Sequence, residues 1–201
     1  LSNSFKLLQS LGINIFEAIN AAGTKPFGFQ KFYPGPGYGG HCIPIDPFLL
    51  SWKAKSKGAN ARFIELSGLV NEKMPQIISN KVNNYCKKNN EKHVLVIGAA
   101  YKKNVDDLRE SPALRIINNL QKKNVYINYH DPFIKSLPRT REFQILKKSK
   151  KLNKKLLNKS IVVIVTDHDC LNYDFIKKNS KFIFDCRGRY GKNIKDKIKQ
   201  I

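Results

Sequence analysis

Lys87-Lys88-Asn89-Asn90-Glu91-Lys92-His93-Val94-Leu95-Val96-Ile97-Gly98 divides the chain into two differently patterned parts. The first half of this stretch is a polar hinge. The second is an unbroken apolar run of strand length that closes on a glycine, the pattern of a strand buried on both faces. Downstream the same signal returns at Val125 to His130, Ile161 to Thr166 and Phe182 to Asp185, with a helical stretch at Pro112 to Lys122. Such β/α alternation predicts a parallel sheet covered on both sides, with ligands at the carboxyl ends of its strands. Lys135 to Lys159 reads as loop plus a basic helix.

Upstream of the hinge the pattern is helical. Residues 1 to about 22 read as an amphipathic helix, a turn at Gly12-Ile13-Asn14, and a short helix Ile15 to Ala22 ended by Gly23. Thr24 to Gly40 reads as loop and Asp46 to Lys57 as a helix closed by Gly58. Ala61 to Cys86 gives one or two more helices, with Pro75 marking a restart. The apolar stripes of this part fit core packing or a subunit interface. The fold class is therefore α/β: an all-helical region over residues 1–90, then a Rossmann-like parallel-sheet domain over residues 91–201. Gly98-Ala99-Ala100-Tyr101 is not a G-x-G-x-x-G fingerprint, so the sheet domain lacks the usual dinucleotide loop.

The 201 residues carry 41% apolar and 26% charged side chains, the balance of a globular protein. No apolar run approaches the ~20 residues that span a bilayer, and no signal peptide is read. Lys and Arg number 37 against 15 Asp and Glu, a formal charge of +22. Much of the excess is Lys beside Asn, spread along the chain without interleaved aromatics, which favours a solvated surface over a nucleic-acid face. It also suits an anionic nucleotide. The four cysteines form no C-x-x-C pair, so a reducing cytoplasm is expected rather than a disulfide framework. His41, His93, His130 and His168 show no metal-ligand spacing, and no metal is expected. Leu1 opens on helical spacing with no cap before it, as though the sequence were the C-terminal part of something longer.

Chemistry concentrates in Tyr33-Pro34-Gly35-Pro36-Gly37-Tyr38-Gly39-Gly40-His41-Cys42-Ile43-Pro44-Ile45-Asp46-Pro47. Its glycines and prolines allow close approach of the backbone to a ligand, and Cys42 follows directly. With Asp46 four residues on, Cys42 reads either as a nucleophile beside an acid/base group or as a small apolar residue.

These stretches, with Thr24-Lys25-Pro26-Phe27-Gly28-Phe29 and Asn104-Val105-Asp106-Asp107-Leu108-Arg109-Glu110-Ser111-Pro112-Ala113, resemble the UDP-glucose/GDP-mannose dehydrogenase family of nucleotide-sugar 6-dehydrogenases. His41 and Ile45 look like the branch acting on UDP-N-acetylglucosamine or UDP-N-acetylmannosamine. The resemblance implies a UDP-binding sheet domain, a helical region that forms a homodimer, and NAD as cofactor, its N-terminal NAD domain being absent here. It implies that Cys42 captures the sugar C6 aldehyde as a thiohemiacetal and then carries a thioester, with Asp46 handling the water. Lys25, Phe32, Tyr33, Gly37, Tyr38, Gly39, Tyr101, Lys102 and Arg187 are implied at the UDP-sugar, and Cys42 and Arg109 next to NAD. Lys102 could equally be a surface lysine, and Arg109 could pair with Asp106 or Glu110. Without the NAD domain the chain is expected to be catalytically silent by itself. The alternative is a non-catalytic module that binds UDP-sugar or serves in assembly. The expected partners are UDP-sugar and a second copy of the chain, without nucleic acid or membrane.

Overall fold

The computed structural model describes residues 8, 11–139, 142–143, 145–191 and 197–201. Among the described residues the elements before the sheet include the helices α1 (Ile15–Ala22), α2 (Cys42–Lys55) and α3 (Arg62–Lys88). Then follow β1 (His93–Ile97), α4 (Pro112–Gln121), β2 (Tyr126–His130), β3 (Ser136–Leu137), β4 (Lys147–Lys148), α5 (Lys154–Lys159), β5 (Ile161–Ile164), α6 (Tyr173–Asn179), β6 (Phe182–Asp185) and β7 (Ile198–Gln200). Asn14, Ser111, Asn153 and Asn172 cap α1, α4, α5 and α6 by accepting amide hydrogens of the first turn.

Five strands form one parallel sheet in the order β2-β1-β5-β6-β7. Alternation along β1 explains why both faces are covered. Val94 and Val96 face a cluster with Ile78 and Val82 of α3 and Ile116, Ile117 and Leu120 of α4. Leu95 and Ile97 face the opposite cluster with Leu157 of α5 and Ile176 of α6. β1 after His93 and all of β5 are thus apolar, since period-two alternation gives both faces a core. The first crossover helix lies on one face and the later ones on the other, so the chain reverses its winding between β1 and β5. Open sheets of this order bind ligands at that reversal, beyond the carboxyl ends of the two strands.

Several boundaries differ from the sequence expectation. The second helix starts at Cys42 rather than Asp46 and ends at Lys55. Pro75 lies inside α3 without ending it. Proline cannot donate to the carbonyl four residues back, yet the buried stripe Met74, Ile78, Val82 and Cys86 holds the helix straight through. This stripe also places the second half of α3 in the core of the sheet. The Ile161 to Thr166 strand ends at Ile164, because the amides of Val165 and Thr166 both turn to the Ile97 carbonyl, at 2.9 and 3.2 Å. The Lys135 to Lys159 segment contains the antiparallel ribbon β3–β4 as well as the expected basic helix, α5. Helix α6 and strand β7 were not anticipated. The first expected helix falls largely on residues 1–7, outside the described residues. No described helix is long and apolar enough to cross a membrane.

Candidate active site and its nucleotide cleft

A cleft of about 570 Å³ opens at the β1/β5 reversal. It is lined from three directions: Tyr101, Lys102 and Lys103 after β1, Asp167 after β5, and Arg187, Gly188 and Arg189 after β6. The helical region closes it with Phe16 and Asn20 of α1 and with Tyr33 and Pro34. Tyr33 stacks on Phe16 with ring centroids 6.1 Å apart, and its hydroxyl donates to Asn20 Oδ1 at 2.7 Å. Four cations and three aromatic rings around one carboxylate form a lining whose chemistry suits a polyanion with a planar or sugar portion.

The turn after β6 is built by Asp185. Its fully buried carboxylate accepts the amides of Arg187 at 3.0 Å and Tyr190 at 3.1 Å. Burial raises its pKa, and the amide donors oppose that. Arg187 Nε donates to the Val165 carbonyl at 2.7 Å, which fixes the guanidinium plane and leaves its terminal nitrogens directed to the mouth of the cleft beside Gly35. A methyl group added at Gly35 would fall 2.8 Å from Arg187 Nη1.

The glycine loop docks on the sheet domain. Gly37 has φ +134°, a conformation that side chains resist, and it lies over Pro112 and the Asn71 carbonyl that Pro75 leaves without a helical donor. A methyl on Gly39 would sit 2.6 Å from Tyr101 Cβ, and one on Gly40 would sit 3.0 Å from its ring. Gly40 N donates to the Arg109 carbonyl at 2.8 Å. The loop then delivers Cys42 as the first residue of α2, exposed and at the positive end of the helix dipole. Arg109 forms a fork to Asp107, with Nη2 to Oδ2 at 2.6 Å. That hydrogen bond is the main reason its pKa is raised, followed by the charge of Asp107, with Tyr101 and Cys42 adding smaller Coulombic contributions. The expected pairing of Arg109 with Asp106 or Glu110 is thereby replaced by Asp107; Glu110 pairs with Arg115.

Of the residues singled out in the sequence, Tyr33, Tyr101, Lys102 and Arg187 line the cleft together. Gly37, Tyr38, Gly39, Cys42 and Arg109 belong to the docked loop and the turn it touches. Tyr38 is half-buried, and burial, then Glu72, raises its pKa. Asp46 is exposed on α2, one turn beyond Cys42, Phe32 is exposed, and Lys25 lies 5.3 Å from the Phe27 ring. Asn20, Lys103, Asp167 and Arg189 line the cleft without having been singled out. Their position just beyond strand ends was the available signal for the last three. Asp131 and His168, given no role from the sequence, form a buried pair under the cleft floor.

The turn after β1 does not fit a dinucleotide. The amides of Ala99 and Ala100, which a pyrophosphate would need, already donate to Asp131 Oδ2 at 2.6 and 3.0 Å. No group of three or more metal-ligating side chains occurs among the described residues, and the four cysteines are free thiols.

Residues 95–192 match the UDP-binding domain of the UDP-glucose/GDP-mannose dehydrogenase family, and residues 2–73 match its central domain. The chain belongs to this family. Among its relatives in the family is the UDP-N-acetyl-D-mannosamine dehydrogenase of Methanococcus vannielii, 36% identical over 172 residues, or 84% of this chain and 37% of the relative. The NDP-N-acetyl-D-galactosaminuronic acid dehydrogenase of Ralstonia solanacearum is 30% identical over 92% of this chain and 42% of its own length. The solved UDP-D-ManNAc dehydrogenase of Pyrococcus horikoshii superimposes with a TM-score of 0.75 at 30% identity, over 97% of this chain and 44% of the other. The chain thus spans roughly two fifths of the length of these family members.

Proposed function

We propose that this chain supplies the nucleotide side and the reactive thiol of a UDP-N-acetylhexosamine 6-dehydrogenase. The cleft at the β1/β5 reversal carries the reading: it is cationic, flanked by aromatic rings, and largely formed by the segment matching the UDP-binding domain. The pyrophosphate would lie between Lys102 and Lys103 on one side and Arg187 and Arg189 on the other. Tyr33 would flank the nucleoside, and the loop through Phe32, Gly37, Tyr38 and Gly39 would lead the sugar toward Cys42. There the Cys42 thiolate would add to the C6 aldehyde as a thiohemiacetal, and after that carbon has given up its hydride Asp46 would orient the water that hydrolyses the resulting thioester, releasing the carboxylate and the free thiol. NAD, when bound, supplies the hydride acceptor, and Arg109 is the residue here assigned toward its phosphates. The exposed Leu49, Leu50 and Trp52 of α2 and Phe63, Leu66 and Leu69 of α3, the last group led by Phe63 at 87% exposure, form the surface assigned to homodimer pairing, with Lys25 reaching the partner's site.

Calorimetric titration with UDP tests the cleft. Saturable binding is expected, weakened about five- to tenfold in Lys102→Ala, whose exposed ammonium loses one charge-assisted contact, and unchanged in Cys42→Ser. Absence of UDP binding by the unmodified chain would end this reading. Comparing UDP-N-acetylglucosamine with UDP-N-acetylmannosamine would rank the epimers. Sedimentation equilibrium tests the pairing: a dimer is expected that Phe63→Asp dissociates, and a monomer at tens of micromolar would exclude the assignment.

A further inference from the structure

Next to the cleft wall lies a buried carboxylate–imidazole pair, His168 following the lining residue Asp167, while Asp169 holds Lys103 Nζ at 3.1 Å. Asp131, directly after β2, is 3% exposed, and His168, after β5, is fully buried. Asp131 Oδ1 accepts the amides of Phe133 and Ile134 at 2.8 and 2.9 Å, which fixes the carboxylate plane. Its Oδ2 accepts Ala99 N, Ala100 N and, at 2.9 Å, the ring of His168 through Nε2. The other ring nitrogen, Nδ1, lies 2.9 Å from Asn104 N. A backbone amide can only donate, so Nδ1 is the acceptor and the ring proton resides on Nε2, donated to Asp131. Phe133 packs on the imidazole with centroids 5.0 Å apart.

The effect falls on one backbone segment. Residues 99–104 are held at their start by Asp131, and by Thr166 Oγ1, which donates to the Ala100 carbonyl at 2.7 Å. They are held at their end by His168, where Asn104 sits at φ +63° and exchanges side-chain hydrogen bonds with Asp169 at 2.7 and 3.0 Å. Between the two anchors stand Tyr101, Lys102 and Lys103, the cleft wall contributed by β1.

We propose that the Asp131–His168 pair is the positioning unit of the UDP site, setting where Lys102 and Lys103 present their ammonium groups to the phosphates. This rests on the reading of the cleft as a UDP site. Neither residue touches the ligand: the carboxylate orients the imidazole, and the imidazole pins the far end of the lysine-bearing segment.

A double-mutant cycle with UDP as the titrant tests it, read by calorimetry well below each variant's thermal midpoint. His168→Phe keeps the ring volume and loses both hydrogen bonds; its UDP affinity is expected to fall about five- to tenfold, as in Lys102→Ala. Combined with Lys102→Ala, it is expected to lose clearly less than the product of the two single losses, since part of its effect runs through the Lys102 contact and the rest through Lys103. His168→Gln keeps a donor for Asp131 but not the acceptor for Asn104; it is expected to bind UDP with intermediate affinity, and it carries the same cycle if His168→Phe does not fold. Unchanged affinity in a folded His168 variant, or losses that multiply with Lys102→Ala, would overturn the positioning role while leaving the UDP site standing. Failure of the unmodified chain to bind UDP would overturn both.

Discussion

Replacing Asp131 with alanine is expected to lower folding stability by about 3–5 kcal/mol, the range for removing one partner of a buried charged network. Four amides and one imidazole lose their acceptor at once, all but the Phe133 amide in buried hydrogen bonds. The same network gives a pH signature. Burial by itself would raise the Asp131 acid, but donation from His168 and from the amides of Ala100, Ala99 and Ile134 outweighs it and holds the pKa down at about 2. A carboxylate depressed in the folded state stabilises the fold above its ordinary pKa, and that contribution is lost as pH falls through the folded value. Close to 2 kcal/mol (about 1.36 kcal/mol per pKa unit) should therefore drain away between pH 4 and pH 2. Urea unfolding at pH 7 measures the first effect, and a loss under 1 kcal/mol in Asp131→Ala would contradict the network as described. Titrating stability downward in wild type and in Asp131→Asn isolates the second, because the amide cannot titrate.

Arg187→Ala is expected to weaken UDP binding by about 10- to 100-fold, more than Lys102→Ala, because hydrogen bonds to charged partners contribute about 1.5–3 kcal/mol when partly desolvated. Its Nε is already committed to Val165 and its backbone to Asp185, so the guanidinium is oriented before any ligand arrives. Burial lowers its pKa, with Asp167, Cys186 and Asp185 opposing. Arg187→Lys should recover little of the affinity, since an ammonium cannot hold the Val165 carbonyl and a phosphate together in one plane. Calorimetry on both variants decides this; wild-type affinity in Arg187→Ala would remove the residue from the site.

Much of the fold was legible because it rests on local signals. Strands β1, β5 and β6 are apolar at nearly every position, and α1 and α4 are marked by caps and periodic leucines and isoleucines. What escaped is short or set by distant partners. Strand β7 is three residues, Ile198–Gln200, whose identity comes from pairing with β6. Helix α6 spans seven residues, about two turns, too short for periodicity to declare it. Pro75 reads as a break locally and is overruled by the packed stripe on either side. The candidate site divides the same way. The glycine loop, Cys42, Tyr101, Lys102 and Arg187 belong to continuous motifs. Asn20 reaches the cleft only through tertiary placement, and His168 acquires meaning only when three strand ends bring Asp131 and Asn104 to its two nitrogens.

The close approach of Gly39 and Gly40 to the Tyr101 side chain makes the thiol-bearing loop a direct neighbour of the cleft wall. Under the proposed function, whatever immobilises Tyr101 at the nucleoside end also restrains the backbone that leads to Cys42. Attraction for a part of the substrate that undergoes no reaction would then be converted into alignment of the sulfur with the carbon it attacks. A sugar lacking its nucleotide would lose more than an anchor: it would meet a nucleophile whose aim is no longer held.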